Sequence, residues 1–378
     1  MKQSSSMSKR VESMDAFRGV ASFLIMVTHF ILCVPEICQV QNLGYIYGGL
    51  SWKLPYFFVL SGFVLSISYA RNRERLKHPF RSFVVSRLFR IYPLFFITTV
   101  LMFLMKLGFG AGSDIEGAST FFNISWRLAP RCGELVSALT LIGLENTWLY
   151  NGPAWTLVFE MRYALVFPLI WGALRRWWYS ILLLVGAVFY VATIAQGLER
   201  TDIFYSVDYV TSNLCSMVAF MLFYVGGVLL SMHRTRLAQL YGSLTTLGRW
   251  GVVLTVLVLV LNPLWGGSVF SSLPSAVSSV VGDLLMLIGV ATWIVVLIND
   301  KFVSRLFSNP TLIALGRSSF SIYMWHMPII TLLYLTLRES LDVWYIVALS
   351  VVVTLVVAQL SFRYIEQPII EFGRRFRI

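Results

Sequence analysis

The sequence predicts an all-α integral membrane protein, a bundle of about ten transmembrane helices with both termini cytoplasmic. Of its 378 residues, 57% are hydrophobic and 13% are charged, and the mean hydropathy is +0.75. Soluble proteins carry about 25% charged residues. Apolar stretches long enough to cross a bilayer recur along the chain, and the basic residues between them fall mainly on one side.

The distribution of Lys and Arg between the two sides of the membrane decides the predicted orientation of the helices. With ten spans, 23 of the 30 basic residues fall on the side of the N-terminus. Because basic residues concentrate in cytoplasmic loops, both termini should be cytoplasmic. The net charge of +12 is then a result of topology. We therefore expect no binding to nucleic acid.

The first third of the chain supplies three spans and one long outer loop. Residues 1–13 form a short basic cytoplasmic tail, and spans follow at about 17–34, 54–69 and 91–107. Residues 108–154 form an outer loop. Its apolar stretch at 135–148 is too short to span and predicts an interfacial helix.

Seven further spans are expected in the rest of the chain. They lie at about 155–174, 178–195, 213–232, 252–264, 276–298, 318–337 and 343–362. We find no internal repeat, so residues 1–378 are predicted to form a single membrane domain. The four cysteines lack metal spacing and no metal site is expected. Cys33 and Cys38 allow either free thiols, which we favour, or an outer-side disulfide.

The first span carries an unusual pair of polar residues. His29 lies 11 residues after Arg18, about three helical turns, so both side chains share one helix face about 16 Å apart. An arginine at the interface and a buried histidine would explain the pair without function. Ionisable residues inside a bilayer are costly, which favours a functional role.

The predicted depths of the helices bring more polar and ionisable residues to the level of His29. Glu160, Ser61 and Asp283 are predicted to fall in the same layer, with His326 just below. A carboxylate that orients an imidazole is the usual arrangement of a general base. Ion pairs that only hold helices together are the structural alternative. We favour function for His29 with Glu160.

A second cluster is predicted at the cytoplasmic mouth. Arg87 and Arg90 are three residues apart and share a helix face, and with Arg18 they form a basic rim. The preference for basic residues on the cytoplasmic side could explain them. Guanidinium groups also bind phosphate in a bidentate manner, so the rim suits a polyanionic ligand.

Six stretches, in order along nearly the whole chain, resemble the integral-membrane acyltransferase-3 family, which includes bacterial O-acetyltransferases of surface and exported polysaccharides. They are MDAFRGVASFLIMVTH (14–29), FFVLSGF (57–63), RLFRIYP (87–93), PAWTLVFEMRYALVFP (153–168), LGRSSFSIYMWHMP (315–328) and SFRYIEQP (361–368). One departure is Ala16–Phe17, where many members read Gly-Leu.

The resemblance implies a function and a set of site residues. It implies a membrane O-acyltransferase that moves acetyl from cytoplasmic acetyl-CoA to a hydroxyl of a surface or exported polysaccharide, or of its lipid-linked precursor. His29 would be catalytic with Glu160, and Arg18, Arg87 and Arg90 would bind the acyl-CoA. The supporting residues would be Asp15, Ser61, Gly62, Trp155, Tyr323 and His326.

Several alternatives stay open. His29 could act as a general base or carry the acetyl group as a transient acyl-histidine. Acetyl-CoA is expected as a co-substrate, without a permanently bound cofactor, and the expected location is the bacterial inner membrane, with multiple passes and lipid contacts. The sequence does not specify the oligomeric state. A proton-coupled transporter or lipid-linked sugar flippase would also suit buried His, Glu and Asp.

Overall fold

A computed structural model describes residues 2–34, 50–71, 80–141, 149–196 and 209–375. Every regular element in these ranges is helical. The α-helices are α1 Lys2–Leu32, α2 Lys53–Arg71, α3 Phe80–Gly108, α4 Thr120–Trp126, α5 Cys132–Leu139, α6 Trp155–Gln196, α7 Tyr209–Gly242, α8 Thr246–Val260, α9 Asn262–Val269, α10 Ser275–Asn299, α11 Lys301–Leu306, α12 Pro310–Arg317, α13 Ser319–Leu337, α14 Val343–Ser361 and α15 Gln367–Arg374. A 3-10 turn, Gly152–Ala154, precedes α6, and a π-helix, Phe362–Glu366, precedes α15.

The described helices agree with a membrane helical protein. Seven of them are long and apolar enough to cross a bilayer, or eight if α8 and α9, bent by 68°, form one span. The other two predicted spans fall on an apolar helix at Lys53–Tyr69 and on α6 after a break in helical geometry at Trp177. The count of ten, and the side on which the termini lie, stay predictions.

The predicted outer loop contains two short helices, α4 and α5, where the sequence analysis expected one. The expected interfacial helix at 135–148 is instead the eight-residue α5, which starts earlier, and residues 142–148 lie outside the described ranges. Helix α4 was not predicted because seven residues in a Gly-rich stretch give little periodic signal. Cys38 also lies outside the described ranges, so the disulfide is not tested.

Backbone contacts divide the chain into two compact units. The first unit comprises 1–17, 44–75 and 163–313, and the second comprises 18–43, 76–162 and 314–378. The boundaries fall inside α1, after Phe17, and inside α6, after Arg162.

In the first unit, α2 and α7 pack backbone to backbone. A Cβ added to Gly62 would lie 2.1 Å from the carbonyl oxygen of Tyr224, and one added to Gly227 would lie 2.0 Å from that of Val59. No real Cβ sits so close, so only glycine fits at either position. Close packing between membrane helices typically uses such small residues.

The core of the second unit is apolar and includes the short helix α4. Met26 and Phe30 of α1 pack with Phe122 and Trp126 of α4 and with Tyr334 of α13. Burying large side chains of this kind is the main favourable term in folding. The packing fixes α4 over the part of α1 and α13 where the candidate site lies.

Candidate active site

Helix α1 runs parallel to the end of α12, which carries Gly316, and to α13 in a constant register within the second unit. Three pairs separated by 297 positions are in contact, namely Gly19 with Gly316, Ser22 with Ser319 and His29 with His326. A Cβ at Gly19 would lie 2.4 Å from the nitrogen of Gly316, so glycine permits the approach. This register places the two histidines opposite each other.

The two histidines form a hydrogen-bonded pair with defined proton positions. Nδ1 of His29 lies 2.8 Å from Nε2 of His326, and Nδ1 of His326 lies 3.2 Å from the carbonyl oxygen of Ile322. A carbonyl only accepts, so Nδ1 of His326 carries its proton and Nε2 is an acceptor. His29 therefore donates from Nδ1, and its Nε2 keeps a lone pair when both rings are neutral.

Aromatic packing holds the pair in place. The rings of His29 and His326 are nearly parallel, at 18° with centroids 5.1 Å apart, and Phe121 of α4 stacks on His29 at 26° and 5.6 Å. His326 is fully buried, whereas His29 is partly exposed. Phe121 was missed by the sequence analysis, which did not predict the helix that carries it.

Helix α4 is fixed by its own polar contacts. Ser119 caps its first turn by accepting from the backbone nitrogen of Phe122 at 3.2 Å. Lys106, whose side chain is buried, donates from Nζ to the carbonyl oxygens of Ser125 at 2.5 Å and Leu128 at 3.4 Å. A buried ammonium is tolerated when such acceptors satisfy it.

A polar path continues from the histidine pair to α6. Tyr323 lies one turn before His326 on α13, with ring centroids 5.9 Å apart. Its hydroxyl donates to the carbonyl oxygen of Pro153 at 3.0 Å and lies 2.8 Å from Oγ1 of Thr156. Of the predicted supporting residues, His326 therefore contacts His29, and Tyr323 contacts His326.

Glu160 lies one turn beyond Thr156 on α6 and forms an ion pair. Its Oε1 is 3.2 Å from the guanidinium of Arg87, and the side chains of Arg87 and Glu160 are 13% and 29% exposed. The partner described for Glu160 is thus Arg87, and the one described for His29 is His326. The predicted direct contact between His29 and Glu160 stays a prediction.

The start of α6 explains how Glu160 meets Arg87. Asn151, just before this helix, is fully buried. Its Nδ2 donates to Oγ1 of Thr98 and to the carbonyl oxygen of Met324, each at 3.1 Å. Helix α6 therefore starts next to the middle of α3, which brings Glu160 down to Arg87.

The arginines predicted to bind acyl-CoA contact other parts of the second unit. Arg18 donates from Nε to Oγ of Ser319 at 2.8 Å and from Nη2 to the carbonyl oxygen of Gly316 at 3.0 Å. Arg90 and Arg18 both interact electrostatically with Glu366. The structure thus gives Arg18 and Arg87 hydrogen-bonded partners, and Arg90 interacts with Glu366 through charge alone.

The remaining predicted residues fall in two places. Trp155 belongs to the second unit, where its ring packs against Phe159 at 5.4 Å. The other residues of the predicted layer and pocket belong to the first unit, and their proximity to His29 stays a prediction. They are Asp15, Ser61, Gly62 and Asp283.

Comparison with known proteins identifies the kind of domain. The acyltransferase domain family known as Acyl_transf_3 matches residues 11–363. The peptidoglycan O-acetyltransferase OatA of Listeria monocytogenes is 23% identical over 386 residues, which cover 97% of this chain and 56% of OatA.

Other relatives match shorter segments. A candidate peptidoglycan O-acetyltransferase of Bacillus subtilis, YrhL, is 37% identical over 76 residues, 20% of this chain and 12% of YrhL. A candidate O-acetyltransferase of Staphylococcus aureus is 30% identical over 69 residues, 18% of this chain and 11% of that relative. The chain spans about half the length of OatA. No solved structure matches it.

Proposed function

This chain belongs to the acyltransferase-3 family, and on that premise we propose that it is a membrane O-acetyltransferase. It would move acetyl from cytoplasmic acetyl-CoA to a hydroxyl of a cell-envelope or exported glycan, or of its lipid-linked precursor. The expected location is the bacterial inner membrane, with multiple passes. The relatives' names make peptidoglycan the first acceptor to test.

The histidine pair is the observation that carries this proposal. The hydrogen bond to His326 keeps the proton of neutral His29 on Nδ1, so that Nε2 is the basic nitrogen, and Phe121 fixes the ring. An oriented neutral imidazole is the commonest general base in enzymes. The side chains around His29 are largely apolar. An apolar site keeps water away from a reacting thioester.

The three arginines supply the proposed donor site. Arg87 and Arg90 lie near the start of α3. Arg18 lies on α1, the helix that also carries His29. Arg18 is 11 residues from His29, or about 16 Å along the helix. The flexible arm of coenzyme A is long enough to cover that distance, so its phosphates can bind the arginines while the thioester reaches His29.

The proposed chemistry is a single acyl transfer. Nε2 of His29 accepts the proton of the acceptor hydroxyl, and the hydroxyl oxygen forms a bond to the thioester carbonyl carbon. The carbon–sulfur bond then breaks, and the sulfur leaves with the electron pair and takes up the proton. The products are an acetyl ester and coenzyme A. A covalent route would place the acetyl group on the same nitrogen before transfer.

The experiment is acetyl transfer by the purified full chain in lipid nanodiscs. With acetyl-CoA labelled in the acetyl group and peptidoglycan fragments or other envelope glycans as acceptors, we expect labelled glycan and free coenzyme A in equal amounts. Label found on His29 before acceptor is added would indicate the covalent route. A protein that transports glycan but consumes no acetyl-CoA would overturn the proposal and favour a transporter.

A further inference from the structure

Glu366 is a buried carboxylate to which the sequence analysis assigned no role. It is the last residue of the π-helix Phe362–Glu366, is 7% exposed, and accepts a hydrogen bond from Oγ of Ser321 at 2.7 Å. Ser321 is itself fully buried. A π-helix is rare and is frequently found at functional sites. A buried carboxylate is costly unless it is paired, so its surroundings should explain it.

Two cations of the proposed donor site act on this carboxylate. The π-helix packs against α3, the helix that carries Arg90, and Arg90 and Arg18 both interact electrostatically with Glu366. Arg18 is also anchored to Ser319, two residues before Ser321 on the same helix. One stretch of α13 therefore holds a cation through one serine and the anion through another.

The C-terminal segment is packed so that Glu366 stays near Arg90. The ring of Phe372 on α15 contacts that of Phe89, with centroids 6.0 Å apart, and Phe89 precedes Arg90 on α3. A Cβ added to Gly373 would lie 2.7 Å from Cβ of Phe89, so α15 lies directly against this turn of α3. This contact fixes the π-helix relative to the arginine.

The charges of the cluster suit an anion-binding site. Two guanidinium groups held close together repel each other, and a carboxylate beside both offsets that repulsion. Two cations and one anion leave a net positive charge. A guanidinium group carries five N–H donors in a planar fork, a geometry that binds phosphate oxygens in a bidentate manner.

We propose that Glu366 is a positioning residue that holds Arg18 and Arg90 as one phosphate-binding pair for the acyl donor. Glu366 does not touch the reacting atoms and acts only through the two arginines. The inference rests on the proposed function, because it takes the phosphates to be those of coenzyme A.

The test measures coenzyme A binding to the purified full chain in nanodiscs, together with KM for acetyl-CoA and kcat. Glu366→Gln keeps the size of the side chain and a hydrogen-bond acceptor for Ser321 but removes the charge. We expect the Kd for coenzyme A and the KM for acetyl-CoA to rise by about tenfold, the weight of one charge-assisted hydrogen bond. We expect kcat to change by less than about twofold. Glu366→Asp, which keeps the charge, should recover part of the affinity.

Two further variants separate positioning from a general loss of structure. Glu371→Gln makes the same change at an exposed position of α15, where Glu371 accepts from Gln367, and should leave binding unchanged. Ser321→Ala keeps every charge but removes the hydrogen bond to Glu366, and should raise the Kd by about threefold. It provides the test if Glu366→Gln does not fold.

The outcomes distinguish this inference from the proposed function. If the wild-type chain binds no coenzyme A, both are overturned. If the wild type binds coenzyme A and the folded Glu366→Gln and Ser321→Ala variants bind it equally well, only the role of Glu366 is overturned. A loss of kcat together with thermal stability, at unchanged KM, would show that Glu366 is structural.

Discussion

The two compact units use their buried residues differently. In the second unit, polar side chains form a continuous path from His29 through His326 and Tyr323 to Thr156, and Glu160 and Arg87 follow one turn later. In the first unit, α2 and α7 meet through bare backbone at two glycines. The difference suggests that substitutions in the second unit reduce activity at constant folding, whereas those in the first unit reduce folding.

The largest expected effect tests the second unit at its centre. His29→Ala should lower the rate of acetyl transfer by about 1000-fold, the middle of the range for a general base, without changing the thermal unfolding temperature in detergent. His233→Ala is the matched control, because His233 is exposed near the end of α7. Wild-type transfer by His29→Ala would remove His29 from the mechanism.

The next effect tests whether His326 acts through His29. His326→Leu removes the acceptor for Nδ1 of His29, and the rate should fall by about 100-fold, with an altered dependence of kcat on pH because His29 loses its fixed tautomer. His326→Gln places an amide near the same position and should retain more activity than the leucine variant. Equal activity of both variants, with a wild-type pH profile, would contradict a positioning role.

In the first unit, the expected effect of a substitution is a loss of stability. Gly62→Ala puts a Cβ against the carbonyl oxygen of Tyr224, and overpacking of this kind costs about 2 kcal/mol, or about 30-fold in the folding equilibrium. We expect a lower unfolding temperature in nanodiscs and a smaller yield. Gly172→Ala is the control, because a Cβ there meets nothing within 4 Å. If both variants unfold alike, close packing at Gly62 is unimportant.

The smallest expected effect concerns the donor end of the second unit. Arg87→Ala should raise the Kd for coenzyme A by about tenfold through loss of a charge-assisted hydrogen bond. Arg176→Ala is the matched control, because Arg176 is exposed and stacks on Trp177. Calorimetric titration measures both, and an unchanged Kd for Arg87→Ala would exclude Arg87 from the donor site.

The sequence predicted the features that depend on a single helix, namely its position and the residues that share one of its faces. Long apolar windows located α1, α3 and α13, and helical spacing placed Arg18 and His29 on one face, because both signals are local. The layer of residues around His29 required the relative depth of separate helices. No local signal in the sequence shows that Asn151 is buried before α6 begins, or that Glu160 pairs with Arg87.

The features that the sequence analysis missed depend on contacts between distant parts of the chain. The register that pairs His29 with His326 depends on the close approach at Gly19, ten residues away. Phe121 reaches His29 from a short helix in a Gly-rich stretch. The partners of Glu366 come from α1, α3 and α13, three distant parts of the chain.

The constant separation of 297 positions has a consequence for the evolution of the chain. Between the glycine contact and the histidine pair, α1 and the segment from the end of α12 into α13 each advance by ten residues. One residue inserted into this part of α1 would turn His29 away by about 100° and move it by about 1.5 Å. A second insertion in the matching part of α13 would restore the pairing. The lengths of these two segments can therefore change only together, although more than 280 residues separate them in the gene product.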